Sequence, residues 1–378
     1  MLIIEKVNTD NKRQVKRFVE LPYRLYKDCP QWVPPLYVDA HMYLNRKKHP
    51  FHEHSDVDFF IAVRDGRDVG RITAIENKPF NQYHQTKKAD FFHFDCENDP
   101  EAASCLFNTA FDWAKARGLD TVIGPKGMGP LDGYGLLVYG FEHRQTMTML
   151  NYNYPYYQQL IESLGFEKEV DFVSCYLPAD KFHIPDRVER IAQRVMQRGG
   201  LQVKTFKSKK ELVSWGGPRI GKAYNDAFVN NWEYYPFSQR EIDFVISNIM
   251  TVADHRLIKI ITHGDDVVGF LFAFHDVSAA LQRARGRLFP FGLMDLLLEL
   301  KRTNTVAVNG MGILPEYHGH GGNALLYSEM GNTLLSFSQF AHVEMTQVAE
   351  TAEQMRADLK NLNGIEYKNY RVYRKSLK

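Results

Sequence analysis

The stretch "GILPEYHGHGGNALLY", from Gly312 to Tyr327, is the most informative part of the sequence for the fold. An apolar run that is typical of a strand ends near Ile313, and a glycine-rich loop leads from it directly into a helical pattern. The first backbone N–H groups of such a helix have no acceptor within the helix. Gly319, Gly321 and Gly322 permit positive φ and carry no Cβ, so a phosphate can approach the backbone at the positive end of the helix dipole. The pattern therefore predicts a phosphate-bearing ligand, although a flexible turn without a ligand produces the same pattern.

Two common nucleotide-binding motifs do not fit this loop. A Walker loop ends in Gly-Lys-Ser/Thr, whereas Gly322 is followed by Asn323 and Ala324. A dinucleotide fold places an acidic residue after a second strand, but the next strand here is the nearly terminal "FAHVEMTQV". The sequence therefore disfavours ATP and NAD.

The composition narrows the class of protein. A chain of 378 residues with 44% hydrophobic residues is long enough for two domains, and its net charge of +2 without a polybasic block argues against nucleic acid as a partner. The four cysteines show neither metal spacing nor a disulfide framework, which fits a reducing compartment. The N-terminus lacks the apolar core of a signal peptide, and no run is long enough to cross a bilayer. We predict a soluble cytoplasmic protein with no membrane partner; the sequence does not indicate its oligomeric state.

Two pairs of segments suggest an internal duplication. "FFIAVRDGRDVGRITAI" and "LIKIITHGDDVVGFLFAF" each predict a strand, a tight turn and a second strand, whereas "ESLGFEKEVDFVSCYL" and "KNLNGIEYKNYRVYRKSL" each predict a helix end, a glycine and a closing strand. Nearly the same spacing separates Gly66 from Gly264 and Gly165 from Gly364. The spacing predicts one α/β unit in each half of the chain.

Strand and helix patterns alternate between these landmarks, which predicts an α/β fold of mixed sheets with helices on both faces. We place the boundary near residue 180, giving domains 1–180 and 181–378, with a bridging helix over about 185–200. The halves differ by two insertions. One is the Gly/Tyr-rich segment 124–141, which suits a substrate lip or a connector. The other is the apolar segment 280–302, which suits either an acyl-chain channel or packing between the units.

The loop resembles the cofactor motif of the GNAT superfamily of acyl-CoA N-acyltransferases. In that family an apolar strand is followed by Pro-Glu-Tyr, then Q/R-x-x-G-x-G/A, then an Ala-Leu-Leu helix. His318 stands at the Gln/Arg position, Gly321 at the central glycine, and Asn323 where glycine or alanine is usual. The resemblance covers roughly 201–378, and the motifs "WVPPLYVDA", "GRLFPFG" and "KNYRVYRK" are similar to those of a group of bacterial tandem-GNAT proteins.

The resemblance implies acetyl-CoA or another acyl-CoA as the cofactor, held by the second half. The residues that it implies around the cofactor are Gly312, Ile313, His318, Gly319, His320, Gly321, Gly322, Asn323 and Ala324. At the corresponding place in the first half the chain reads "ENDPEA", whose carboxylates would repel a pyrophosphate. The fold class is therefore two tandem GNAT-like mixed-sheet units, the first lacking the cofactor loop.

The resemblance also implies the chemistry, which is direct attack of an amine on a thioester. Backbone N–H groups over 311–313 would polarise the carbonyl. Asn309 and Glu344 lie on the two strands that splay in this fold, and Glu350 follows the second strand, so each is a candidate base. Each residue is also compatible with a structural role, as an exposed strand residue or a helix cap.

The usual acid of the family is missing. The family often has an Asn at the start of the next helix and a Tyr further along it, but those positions hold Ala352 and Leu359. Tyr367, or else Tyr370, is the substitute candidate, although a tyrosine in a closing strand is commonly a packing residue.

Other interpretations remain open. The histidines at 318 and 320, like those in "HPFHEH", lack accompanying cysteine or acidic ligands, so we predict no metal site; His318 more plausibly donates to a phosphate, best when protonated. The leading prediction is an N-acyltransferase for a small-molecule amine or a peptide. The alternatives are a non-catalytic protein that senses acyl-CoA or acts as a scaffold, and a transferase that uses aminoacyl-tRNA, which would need a basic face.

Overall fold

The computed structural model describes residues 1–129, 132–147, 150–178 and 184–378. Two compact units divide the chain. The first unit comprises Met1–Val173, Val277–Glu299 and Tyr367–Lys378, and the second comprises Ser174–Asp276 and Leu300–Glu366. Among the described residues, no helix is both long and apolar enough to cross a membrane.

Strands and helices alternate along the chain. Up to the end of β7 they are β1 (Leu2–Lys6), α1 (Lys12–Leu25), α2 (Tyr37–Met42), β2 (Asp56–Arg64), β3 (Arg67–Glu76), α3 (Lys78–His84), β4 (Lys88–Cys96), α4 (Pro100–Lys115), β5 (Thr121–Gly124), β6 (Leu136–Tyr139), α5 (Tyr156–Glu162) and β7 (Glu167–Pro178). They continue with α6 (Asp186–Arg198), β8 (Gln202–Lys204), α7 (Lys209–Ala227), α8 (Gln239–Val252), β9 (Ile258–His263), β10 (Asp266–His275), α9 (Ser278–Ala284), α10 (Gly292–Arg302), β11 (Thr305–Ile313), α11 (Gly322–Ser336), β12 (His342–Ala349), α12 (Glu353–Asn361) and β13 (Ile365–Ser376).

The first unit is built on a mixed sheet. Its strands follow the order β1-β2-β3-β4-β5-β13, and β4 and β5 are the parallel pair. The apolar face of α4 covers one side of the sheet and places Leu106, Phe107 and Ala110 in a core with Phe91 and Phe166. Burying such large aromatic side chains is the main source of stability for a layer of this kind.

Both predicted hairpins are present, and their turns explain the glycines. In the β2–β3 turn Asp65 and Gly66 both have positive φ (49° and 80°), which is the pattern of a type I′ turn. In the β9–β10 turn Gly264 has φ 61° at the first central position, which is the pattern of type II′. Both turn types match the twist of antiparallel strands, so the two halves contain the same kind of hairpin with different turn residues and turn types.

The closing strands make the units discontinuous, unlike the continuous domains 1–180 and 181–378 that the sequence suggested. Strand β13 pairs antiparallel with β5, with Tyr373 opposite Gly124, so the end of the chain completes the sheet of the first unit. Insert residues Val277–Glu299 also belong to the first unit. Within that unit, for example, Gln282 Nε2 donates to the carbonyl of Trp32 (2.9 Å). The predicted boundary residue itself, at 180, lies outside the described residues.

The second unit carries its own mixed sheet, in the order β12-β11-β10-β9-β8, with β11 and β12 parallel. Helix α7 covers one face through a core that includes Leu212, Ile220, Phe270 and Phe272. Helix α11 packs near β9 and β10, and α6, the predicted bridging helix, packs against α11. The glycine-rich loop joins β11 to α11 at the end of this sheet.

Candidate functional site

The two parallel strands of the second unit separate part-way along their length. Residues of β11 and β12 pair from Thr305 opposite His342 to Val308 opposite Met345, and the register continues no further. The rest of β11, from Asn309 to Ile313, still pairs on its other side with β10. The ladder between β11 and β12 is therefore not continued over residues 310–313, where the backbone of β11 borders a gap between the two strands.

A β-bulge lies where the strands separate. Leu271 pairs with Met311 and Ala273 with Val308, so Phe272 stands opposite both Asn309 and Gly310. Gly310 has φ 94°. A bulge turns the strand locally, and here it redirects the backbone of β11 at the mouth of the gap.

The start of α11 is bare of side chains. Its N-cap residue is Gly321, with φ 82°, and no side chain in the described ranges caps the helix. Gly319 also has positive φ (79°), and a Cβ added there would meet nothing within 4 Å. The start of α11 thus keeps the positive potential that favours an anion, and the loop before it is open at Gly319.

The loop itself is held by two aromatic rings. His318 Nε2 lies 2.9 Å from the carbonyl oxygen of Ile313, and since a carbonyl only accepts, that nitrogen carries the proton. The other ring nitrogen can donate to a phosphate only when the ring is doubly protonated. The Tyr317 hydroxyl contacts His263 Nδ1 (3.2 Å), which ties the loop to the β9–β10 hairpin; His320 is exposed.

Helix α6 supplies cations beside the loop, a feature that sequence analysis missed. A Cβ added at Gly321 would lie 2.7 Å from Val195 Cγ2 and 3.0 Å from Ile191 Cγ2, so α6 lies directly against the start of α11. Next to these contacts an exposed stripe contains Arg187, Arg190, Arg194 and Arg198. None of these guanidinium groups has an ion-pair partner among the described residues. The sequence feature that could have predicted this stripe is the spacing of the arginines, which recur every three to four residues and so lie on one side of the helix.

The corresponding helix of the first unit is closed to anions. Asp99 caps α4, its carboxylate accepting from the Ala102 N–H at 3.0 Å. Arg64 bridges the carboxylates of Asp99 (2.8 Å) and Glu101 (2.7 Å). The segment before α4 contains no glycine, and its N-cap carboxylate occupies the Ala102 N–H, whereas no side chain among the described residues caps α11.

The predicted base candidates lie on the two strands beside the gap. Glu344 is 2% exposed and stands opposite Ala307, and Asn309 follows two residues later on the same face of β11, at the bulge. Phe274, which also pairs with Ala307, belongs to the core under α7, so both candidates are on the α7 face. The structure therefore brings Asn309 and Glu344 to one side of the gap.

The predicted acid is a residue of the closing strand β13. Tyr367 belongs to the first unit, where its ring centroid is 4.9 Å from that of His143. Ala352 is the N-cap residue of α12, and Leu359 is buried in that helix. The role of Tyr367 as the acid stays a prediction.

One polar cluster was not anticipated. Asn323 Nδ2 and the Tyr327 hydroxyl both donate to Asp358 Oδ2 (3.3 Å each), and Gln354 Nε2 donates to Asp358 Oδ1 (3.0 Å). Burial, followed by the nearby Asp358 carboxylate, raises the pKa of Tyr327 above its ordinary value. The cluster joins the first two turns of α11 to α12, so it positions the glycine loop. The Asn-x-x-x-Tyr spacing, with two polar groups on one helix face, was a weak signal for it.

A solved structure shares this fold. A tandem GNAT protein from the clavulanic acid biosynthesis pathway, solved without AcCoA, is similar over 100% of this chain and 99% of that chain, with a TM-score of 0.58 and 12% sequence identity. The chain has the tandem GNAT fold. No protein-family profile matches the sequence.

Two relatives are similar over almost the whole chain. One is named bacterial ceramide synthase, from Caulobacter vibrioides (strain NA1000 / CB15N), and is 28% identical over 372 residues, covering 96% of this chain and 95% of the relative. The other is protein YghO of Escherichia coli (strain K12), 25% identical over 375 residues, covering 97% and 94%. In both relatives the similarity extends over nearly the full length of each chain.

Proposed function

We propose that this tandem GNAT protein is an acyl-CoA-dependent N-acyltransferase whose acceptor is the amino group of a long-chain, lipid-like amine. The observation that carries the proposal is the uncapped start of α11 beside the end of β11, where a Cβ added at Gly322 would lie 2.8 Å from Ile313 Cδ1. A helix start that the protein leaves bare costs stability unless a ligand satisfies it. The glycines admit a pyrophosphate there, and the gap admits an extended chain beside β11.

The residues present fit a coenzyme A molecule. The loop amides from Gly319 to Ala324 would hold the pyrophosphate, and the exposed arginines of α6 would hold a further phosphate. The backbone of β11 over residues 310–313, where the ladder with β12 has ended, would pair with the amides of the pantetheine arm, as an added strand does. Coenzyme A, when bound, supplies the acyl group as a thioester.

Proton transfer falls to side chains on the α7 face. An amine is protonated at neutral pH, so it must lose a proton before it can attack. We assign Glu344 as the base, acting directly or through one water, and Asn309 as the group that orients the amine. The backbone N–H groups near Met311, redirected by the bulge, would stabilise the oxyanion.

Two observations support a lipid-like acceptor. The relative named bacterial ceramide synthase is similar over the full chain, and a ceramide is the N-acyl product of a long-chain amino alcohol. On the α7 face, a Cβ at Gly312 would lie 2.9 Å from the Cβ of Ala227, the last residue of α7. The α7–α8 connection therefore starts beside the gap, and it is rich in aromatic residues ("FVNNWEYYPF") that can line an apolar acceptor channel.

The proposal is tested by acylation of a panel of amines. We expect amide formation and free thiol from a long-chain acyl-CoA with a sphingoid base, and at most weak turnover with short polyamines or peptides. The matched control is Glu344→Gln, which keeps the size of the side chain and removes the base. Turnover limited to short amines would refute the lipid-like acceptor, and no turnover with any amine would refute the enzyme assignment.

Calorimetry separates the alternatives. A non-catalytic sensor predicts saturable binding of acyl-CoA without thiol release. A transferase that uses aminoacyl-tRNA predicts no acyl-CoA binding, and the net charge of +2 gives it no global attraction to RNA. Binding and turnover together are expected only of the proposed enzyme.

A further inference from the structure

The insert of the first unit exposes a group of large apolar side chains. Phe289 is 79% exposed and Phe291 72%, and on α10 Met294 is 61% and Leu297 54% exposed. Leu293 and Leu298 extend the same surface. We call these six residues the apolar patch. Sequence analysis assigned this insert to an acyl-chain channel or to packing, but these side chains face solvent.

Helix α10 is inverted relative to an ordinary surface helix. Its acidic residues face the protein, because Arg283 of α9 donates to Asp295 (2.8 and 2.9 Å) and also pairs with the buried Glu299. The exposed apolar residues Met294 and Leu297 lie away from this ion-paired face. A surface helix normally buries its apolar stripe and shows its charges, so this orientation needs an apolar partner.

The patch is anchored so that it projects from the unit. The carbonyl of Gly286 accepts from the Tyr37 N–H (2.8 Å), and a Cβ at Gly286 would lie 2.1 Å from the Pro35 carbonyl oxygen. The Arg287 guanidinium stacks over the Tyr37 ring at 4.6 Å. The base of the insert is therefore fixed, while the phenylalanines beyond it are presented to the outside.

Cations border the patch. Arg285 precedes the phenylalanines, and Lys301 and Arg302 end α10; all three side chains are exposed. Both carboxylates of α10 pair with Arg283 on the inward side of the helix, so the outward surface combines apolar side chains with the positive charges of Arg285, Lys301 and Arg302. That combination matches the interface of an anionic bilayer, where aromatic and leucine side chains enter the acyl boundary and cations meet headgroups.

We propose that the apolar patch docks this protein on the surface of a membrane containing anionic phospholipid. The mode is peripheral and needs no membrane-spanning helix, and it departs from the prediction, made from the sequence, that the protein has no membrane partner. Docking would bring the enzyme to the membrane in which a long-chain amine resides; this use of the surface rests on the proposed function, whereas the docking itself does not.

The experiment is flotation of the full-length protein with vesicles of phosphatidylcholine, with and without phosphatidylglycerol, in the absence of acyl-CoA and amine. We expect flotation with the anionic vesicles and more than about tenfold weaker binding for the Phe289→Ser/Phe291→Ser double variant. Leu297→Ser and Leu335→Ser form a matched pair, since both leucines are on helices and Leu335 is 59% exposed. Only Leu297→Ser is expected to weaken binding.

The charge requirement is tested by Lys301→Gln/Arg302→Gln. This variant should lose the preference for phosphatidylglycerol, and the wild type should lose it at high salt. Circular dichroism and thermal unfolding establish that each variant is folded.

Three results would overturn the proposal: no flotation of the wild type, equal flotation of the Leu297 and Leu335 variants, or a dimer without vesicles that the phenylalanine variant converts to monomer. The last result would assign the patch to a second copy of the chain. Docking without acyl transfer would refute the proposed function and keep this inference, and acyl transfer to a long-chain amine by a protein that does not float with vesicles would do the reverse.

Discussion

A single charge placed in the glycine loop should separate ligand binding from folding. The perturbation is Gly319→Asp, with Gly319→Asn as its control. Gly319 is preferable to Gly321, because a Cβ at Gly321 would lie 2.7 Å from Val195 whereas one at Gly319 would meet nothing within 4 Å. Asp and Asn have nearly the same shape and both tolerate positive φ better than other side chains, so the pair differs in charge alone.

The magnitude follows from Coulomb's law. A carboxylate about 5 Å from one phosphate charge costs between about 1 and about 3 kcal/mol, for effective dielectrics between that of water and 20. The Asp variant should therefore bind acyl-CoA at least about fivefold more weakly than the Asn variant at low salt. The difference should shrink as salt is added, because the loop is exposed.

Stability should change in the opposite direction. A carboxylate near the start of α11 is favourable to the helix by about 0.3–1 kcal/mol, so the Asp variant should be the more stable of the two without ligand. The assays are isothermal titration calorimetry with acyl-CoA and thermal unfolding of the free protein. Equal affinities of the two variants at low salt would refute the assignment of the loop as a phosphate site.

Three further predictions concern single groups. Glu344→Gln should lower kcat by about 100-fold or more while calorimetry shows unchanged acyl-CoA affinity, because the buried carboxylate is assigned to the proton and not to the cofactor; an unchanged kcat would remove it as the base. Arg194→Gln/Arg198→Gln should weaken binding of coenzyme A more than of its 3′-dephospho form, and an equal loss for both ligands would show that α6 does not hold that phosphate. Asp171→Asn should lower the free energy of unfolding, measured in urea at pH 7, by about 2 kcal/mol, because it removes the charge that accepts hydrogen bonds from Arg371 and Asn369. Burial raises the pKa of Asp171, but these hydrogen bonds outweigh burial, so the pKa lies below its ordinary value. A carboxylate whose pKa is lowered in the folded state stabilises the protein above the ordinary carboxyl pKa, and this stabilisation is lost as pH falls from that value through the lowered one. The difference between the wild type and Asp171→Asn should therefore narrow as the solution is acidified, and a constant difference would contradict this.

The local elements were predictable because each is encoded by adjacent residues. The hairpins around Gly66 and Gly264 need only alternating apolar residues and a turn glycine, and both formed as predicted. The "HGHGGN" loop likewise combines a strand end, glycines and a helix start in one stretch. The absence of a cofactor loop before α4 followed from Asp99, since an N-cap carboxylate is a local signal.

Long-range features were not predictable from one sequence. The pairing of β13 with β5 depends on which open sheet edge a closing strand meets, and alternating residues in "IEYKNYRVYRKS" fit any edge. The Asp358 cluster requires α11 and α12 to be placed side by side, which no spacing in the sequence specifies. The exposure of α10 depends on Arg283, a residue of another helix, binding the acidic face of α10.

The two helix starts show how a duplicated fold can divide its tasks. Each follows a strand of a parallel pair, but α4 begins with a carboxylate that satisfies its own N–H groups, whereas α11 begins with glycines that satisfy none. The cap of α4 contributes roughly 1 kcal/mol of stability, and its carboxylate repels anions. The start of α11 lacks this stabilisation and leaves room for an anionic ligand. The first unit in turn accepts β13 on its sheet edge, so residues 367–378 are required to close it. A fragment that ends near residue 180 would expose the edge of β5, and the first unit is therefore not an independent domain.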